Sequence, residues 1–512
     1  MTITDARQPR RLPNSPHRAG PREWLALAVV VLPVLLISID NTVLTFALPQ
    51  VSIALRPTGE QLMWLVDIYP LMLAGLLIAA GSVGDRFGRR RLLLIGAVGF
   101  GLASVGAAFS SSAEALITWR ILLGVFGATL MPSTLSLIRT IFVRRDDRRM
   151  AIAVWAATFA GGAALGPVMG GYLLEHFWWG SVFLVNVPII VVFLAAATFL
   201  VPESRDPRPR RLDASGIVWS MTAMLPFVYG IKQLAEHGLS AEPLGAMALG
   251  AFGGAMFVRR LKTSTHPLID VGLFSDRVFS GAIGANLLSM MGYAGFLFFA
   301  AQFLQLIVGL SPMAAATVLV PGLAVTMLAS FVVVRLARLA PVHALVSLSF
   351  ALSAAGYAIA AFVGTPTMWS IMIAFAVLGL GIGFAETLTN DVMLSRVPEH
   401  QAGAASAASE TAYEIGAVLG TAILGSVLTA SYRANLTVPA VAHFGEHDSA
   451  FETLGGTMEQ ASYFPNVVGE ELVLSAHAAF EHAVQLTSMA GIIVALGAAW
   501  VSWRTLRDAA LD

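Results

Sequence analysis

Apolar residues run along this chain in long blocks, interrupted by short stretches rich in arginine, glycine and proline. Fourteen blocks approach or exceed the roughly 20 residues that a helix needs to cross a hydrocarbon core. They lie near 24–49, 62–82, 92–110, 116–138, 150–172, 181–201, 215–235, 243–260, 280–306, 312–335, 341–363, 368–390, 402–430 and 483–503. Polarity does not alternate within them and they are too long for barrel strands, so the pattern predicts an all-α integral membrane protein with fourteen transmembrane helices.

Composition agrees. Of the 512 residues, 57% are hydrophobic and 12% charged, too little charge to cover a soluble surface. A topology with both termini in the cytoplasm then sorts the 31 basic residues. Only Arg56, Lys232 and Arg433 fall in outer loops and Arg120 within the membrane; all others lie in inner segments, as the positive-inside rule requires. The polar, proline-rich residues 1–23 read as a cytoplasmic tail, not a cleaved signal, and 504–512 as a second tail. The expected location is the inner (cytoplasmic) membrane of a cell. The loop 431–482 is acidic, with Glu446, Asp448, Glu452, Glu459, Glu470 and Glu471 against Arg433, and reads as an outer vestibule or a solvated loop. Zero net charge gives no reason to expect nucleic acid. There is no cysteine, no H-E-x-x-H pair, no G-x-S-x-G elbow and no phosphate-binding glycine loop. The chain is therefore expected to be no enzyme, with no catalytic residue, metal or cofactor.

Between the second and third blocks the chain reads Gly81-Ser-Val-Gly84-Asp85-Arg86-Phe-Gly88-Arg89-Arg90-Arg91. The spaced glycines allow a tight turn, and Asp85 can cap a helix and pair with arginines as a latch that opens and re-forms. This segment resembles the G-x-x-x-D-R-x-G-R loop of the major facilitator superfamily. Other segments are similar to its fourteen-helix drug:proton antiporters: Ile39-Asp40-Asn41-Thr42-Val43, with Thr45 where Asn is usual, Arg120 to Ala128 in the fourth block, and Gly162, Gly166, Pro167 and Gly170 in the fifth. The resemblance implies two six-helix bundles, 24–201 and 280–503, with two helices, 215–260, inserted between them through linkers 202–214 and 261–279. It also implies a monomer that exports lipophilic and cationic compounds (quaternary ammonium compounds, dyes, fluoroquinolones) in exchange for protons, the proton gradient serving in place of any cofactor. A lipid or an endogenous metabolite is the alternative cargo.

An ionisable side chain within a membrane helix costs about 3 kcal/mol to insert and is a functional candidate by default. Asp40, Asp67, Arg120, Glu386, Glu410 and Glu414 are those candidates. Asp40, in the middle of its block, is expected to bind and release a proton in a cavity, and Asp67 to lie nearer the outer side. The resemblance links acids at these two places to recognition of cationic drugs or to proton coupling. Glu410 and Glu414 are one helical turn apart and face one way, an arrangement suited to exchanging protons for a cation. Arg120 is expected to pair with a carboxylate or a backbone carbonyl. Aromatic faces suit bulky cations, which makes Trp64, Trp155, Phe159, Tyr293, Phe296 and Tyr413, with Gln302, pocket candidates, although each serves packing as readily.

Overall fold

A computed structural model of the chain describes residues 19–205, 213–264, 271–362, 367–397, 402–438, 449–464, 466–507 and 509. In lipid every backbone polar group must be satisfied within the chain, and among the described residues the answer is helical throughout. Among the described residues, fourteen helices are long and apolar enough to cross a membrane. We number them α1 (Pro21–Leu55), α2 (Gly59–Phe87), α3 (Arg89–Ala108), α4 (Ala113–Ile141), α5 (Arg145–His176), α6 (Ser181–Leu200), α7 (Ala214–His237) and α8 (Ala241–Thr263). They continue as α9 (Arg277–Ile307), α10 (Pro312–Leu336), α11 (Val342–Phe362) and α12 (Met368–Ser395). Next is α13, which is Ala402–Gly420 carried on through a π turn at Thr421–Gly425 into Ser426–Asn435, and last is α14 (Asn466–Thr505).

Side chains set the helix starts. Thr58 and Gln61 form a reciprocal capping box at α2, with Gln61 N donating to Thr58 Oγ1 over 3.1 Å and Thr58 N to Gln61 Oε1 over 3.0 Å. Thr367 and Ser370 form a second such box at α12, and Ser112, Asp213, Asp276 and Ser311 cap α4, α7, α9 and α10 by accepting from first-turn backbone N–H groups.

Helices α1–α6 pack into one bundle, chiefly α2 on α4, α3 on α4 and α1 on α5. Helices α9–α14 form the second, with α10 and α11 on α12, α11 on α14 and α9 on α13. The bundles meet where α5 touches α10 and α2 touches α13. The inserted hairpin α7–α8 packs mostly on itself, and α7 leans on α2 and α13. The small-residue face of α5 serves close packing against α1. A Cβ at Gly162 would stand 2.8 Å from Ser38 Cβ, and one at Gly170 would stand 2.9 Å from Val43 Cγ2. Pro167 is buried beside them.

The glycine–arginine loop turns at Gly88, whose φ of 111° only glycine adopts without strain. Its anchor is a residue that sequence reading passed over. Glu203, just beyond α6, accepts from Arg90 N and Arg91 N at 3.1 and 3.2 Å, so a carboxylate sits at the start of α3. Arg89 N donates to Ser204 O and Arg90 Nη2 to Thr198 O, binding the loop to the end of α6. Arg86 is exposed, and the backbones of Gly81 and Gly84 belong to α2. The side chain of Asp85 lies outside the described ones.

Two expectations are corrected. The last outer segment is not a loop to residue 482: α14 begins at Asn466, and a short helix, Leu454–Ala461, fills part of the remainder. The start of α14 holds exposed charges, Glu470 and Glu471, which a hydropathy window rejects although nothing in them breaks a helix. Glu446 and Asp448 lie outside the described residues. Nor does this segment simply present acids to solvent. Glu459 pairs with Arg56, and Glu452 Oε2 accepts from Gly59 N at 2.9 Å, so the segment ties the second bundle to the first. Gln305 Nε2 adds a bond to Phe46 O (3.1 Å). These ties all lie on the face opposite the arginine-rich loops, where the bundles are closed on each other.

Candidate functional site

A cavity of about 220 Å³ lies between the bundles, about midway along the helices. The first bundle lines it with hydroxyl and amide groups of α1 (Ser38, Asn41, Thr42, Thr45), with Asp67 and Pro70 of α2, Arg120 of α4 and Phe159 of α5. The second supplies Tyr293 and neighbouring apolar side chains of α9, Thr326 and Met327 of α10, Glu386 of α12, and Tyr413, Glu414 and Thr421 of α13. Thr421 opens the π turn, a local widening of α13.

The four cavity-side acids divide by partner. Asp40 is completely buried and does not line the cavity. Its Oδ2 is 3.0 Å from Arg120 Nη1, and its Oδ1 accepts from Asn186 Nδ2 at 3.2 Å. Arg120 is held on further sides by Leu65 O, 3.1 Å from Nε, and by the ring of Tyr69, 4.6 Å from Cζ. The expectation of Asp40 as a cavity carboxylate is thus corrected: the guanidinium stands between it and the open space. Arg120 itself matches its expected pairing.

Asp67 does line the cavity, but it too is neutralised. Lys232 Nζ, fully buried, lies 2.9 Å from Asp67 Oδ2 and 3.9 Å from the centre of the Trp64 ring. The assignment of Lys232 to an outer loop is therefore wrong: it sits within α7 and reaches into the first bundle. One signal was available. The chain is rich in arginine and holds only two lysines, Lys232 and Lys262, and Lys232 falls inside an apolar block.

Glu386 and Glu414 remain. Both line the cavity, and among the described residues neither has a basic side chain within ion-pair distance. Glu414 accepts one bond from the opposite bundle, from Asn41 Nδ2 at 3.4 Å. Glu410 is half-buried and outside the cavity wall, which starts along α13 only at Tyr413. One helical turn, about 5.4 Å, takes Glu410 past the end of the open space although it faces the same way.

Of the aromatic candidates, Phe159, Tyr293 and Tyr413 line the cavity, and Phe159 meets Tyr413 edge to face across the bundle boundary at 6.3 Å. The others do not. Trp64 covers Lys232 and donates to Glu60. Trp155 stands behind Phe159, stacked on it, and donates to Thr134 Oγ1 over 3.0 Å. Phe296 is enclosed by Phe299, Tyr357 and Phe375, and Gln302 returns its amide to Phe298 O. Each of these is spent on packing or an internal hydrogen bond.

A cavity at the centre of two packed bundles, lined from both, is the arrangement of a carrier. The family model described as Major Facilitator Superfamily matches residues 30–421. The chain belongs to the major facilitator superfamily. Among its superfamily relatives, the "Multidrug efflux pump LfrA" of Mycolicibacterium smegmatis is 49% identical, covering 95% of this chain and 97% of that one. The "Methyl viologen resistance protein SmvA" of Salmonella typhimurium is 36% identical over 93% and 97% of the two chains. Among solved structures, a bacterial homolog of the human lysosomal transporter Spinster, inward-facing and unoccupied, superposes with a TM-score of 0.66 at 18% identity, over 97% of this chain and all of that one. That likeness concerns the fold.

Proposed function

We propose that this superfamily member is a proton-coupled exporter of lipophilic organic cations, with Glu386 and Glu414 as the carboxylates for which cargo and protons compete. One observation carries the reading: these two acids face a cavity with aromatic walls and, among the described residues, have no resident cation. A carboxylate in a water-poor cavity is costly unless a positive charge is near. A cationic drug can supply that charge from the cytoplasm, and a proton can supply it from outside. Phe159, Tyr293 and Tyr413 give flat cations π faces to lie against. The names of the relatives support the cargo class. Methyl viologen is a flat aromatic dication, and two free carboxylates match its charge.

The arginine-rich face is assigned to the cytoplasm by the positive-inside rule. With the opposite face tied by Arg56–Glu459 and Glu452–Gly59, the cavity loads from the cytoplasmic side. The Asn41–Glu414 bond spans the two bundles, so filling Glu414 with a cation or a proton weakens one of the bonds that set their relative position. The Asp40–Arg120 pair acts beneath this, holding α1 and α4 together and placing Arg120 at the cavity wall. The test is transport in inverted vesicles under a proton gradient. Ethidium and methyl viologen should accumulate, collapse of the gradient should stop it, and Glu414→Gln should stop it with expression intact. Full activity of Glu414→Gln would refute the assignment.

A further inference from the structure

The hairpin α7–α8 is the least integrated part of the fold, yet it delivers a lysine to a carboxylate of the central cavity. Asp67 faces that cavity on one side. Lys232 faces a second cavity of about 300 Å³, nearer the closed face, lined also by Glu60, Met63, Ser426, Thr429 and Arg433. The ion pair, itself fully buried, therefore lies between the walls of two open spaces. Apart from Asp67 and the Trp64 ring, the ammonium has no hydrogen-bond partner among the described residues. Its neighbours fix the helix rather than the charge. Gln233 Nε2 donates to Glu60 over 3.0 Å and so ties α7 to α2, while Trp64 Nε1 donates to the same carboxylate from within α2, also over 3.0 Å. A buried ion pair is seldom more stabilising than apolar residues of similar volume, so packing alone does not call for an ammonium here. Lysine is also the cation suited to moving, a compact charge on a four-carbon stem.

We propose that Lys232 is a tethered competitor for Asp67: it holds that carboxylate while the cavity is empty, and a cationic cargo must displace it to gain a third acidic contact. The displaced ammonium has somewhere to go, since Glu60 lines the same outer cavity. The inserted hairpin thereby sets how much positive charge a cargo needs. This rests on the organic-cation reading above.

The test is equilibrium binding to the purified full-length protein of tetraphenylphosphonium and, as an uncharged probe, triphenylphosphine oxide. Removing the competitor by Lys232→Gln should tighten phosphonium binding roughly tenfold and leave the oxide unchanged. The double variant Asp67→Asn/Lys232→Gln should bind the phosphonium no more tightly than Asp67→Asn alone, because the contested carboxylate is gone. A folded Lys232→Gln with wild-type or weaker phosphonium affinity would overturn the proposal and leave the pair as a structural tie. Should Lys232→Gln prove aggregated, the two variants lacking Asp67 still decide: equal affinities support competition for that carboxylate, and unequal ones refute it. Wild-type protein that binds the oxide but not the phosphonium would remove the organic-cation reading and this proposal with it, an outcome distinct from binding without gain.

Discussion

On the N-terminal side of the cavity, Asp40 and Asp67 each face a cation of the protein's own, Arg120 at 3.0 Å and Lys232 at 2.9 Å. On the C-terminal side, Glu386 and Glu414 share the same open space without one among the described residues. The difference separates two uses of a buried carboxylate. A paired acid is answered by the protein's own cation while the cavity is empty, whereas an unpaired acid is completed by whichever positive species arrives. On this view the Asp40–Arg120 pair is the frame and the second bundle holds the charge left open at rest.

The sharpest way to break that comparison is to unpair the frame. Arg120→Met leaves Asp40 buried without its cation and should cost about 3–5 kcal/mol of stability, whereas Arg120→Met/Asp40→Asn should recover most of it. Thermal unfolding of the detergent-purified protein measures this. Equal loss in the single and double variants would deny Asp40 and Arg120 their mutual role. Next in size, Glu414→Gln should lower gradient-driven ethidium transport about a hundredfold with folding unchanged, equivalent to about 2.7 kcal/mol. Glu386→Gln should discriminate by charge, lowering methyl viologen export about tenfold and ethidium export only about threefold, since a monocation still has Glu414. An equal drop for both would mean that the two acids do not divide the charge of a dication. Glu410→Gln, one turn outside the cavity wall, should change either rate by less than about twofold.

How much of this was legible in the chain follows the same division. Helix number and the burial of Asp40 come from local hydropathy, which is a property of neighbouring residues, whereas the bundle plan comes from the family resemblance. That α5 packs closely on some neighbour was written in Gly162, Gly166 and Gly170, because small residues at four-residue spacing leave a flat face; that the neighbour is α1 was not. Partners were harder, because pairing is a property of the packed bundle. Arg120 is eighty positions from Asp40. Lys232 is further still from Asp67, and its burial depends on α7 lying against α2, which no periodicity states. Glu203 was passed over for a similar reason: one acid after a membrane helix looks like ordinary solvated charge until the start of α3 is brought to it. The spacing of Glu410 and Glu414 gave their common direction but not where the cavity ends.

The smallest effect belongs to the closed face, and it tests whether proton sensing is confined to the second bundle. The Arg56 guanidinium donates to Glu459 and holds that carboxyl below the usual glutamate range. A lowered value means the pair's contribution to closure is complete above the ordinary glutamate value near 4.5 and fades only as pH falls through the lower, paired value. Between pH 8 and 5 this tie should therefore not titrate. Arg56 is largely exposed, so the pair should weaken with salt and count for little. The native chain has no cysteine, which permits a clean pair of spin labels at Ser111→Cys and Glu470→Cys, exposed positions in the first and second bundles. Lowering the pH from 8 to 5 should shift the distance distribution in this background. The shift should survive Arg56→Gln with a slightly wider resting distance, and it should vanish in Glu414→Gln. If Arg56→Gln removed the pH response instead, the sensing charge would lie at the outer tie and not among the unpaired acids of the cavity.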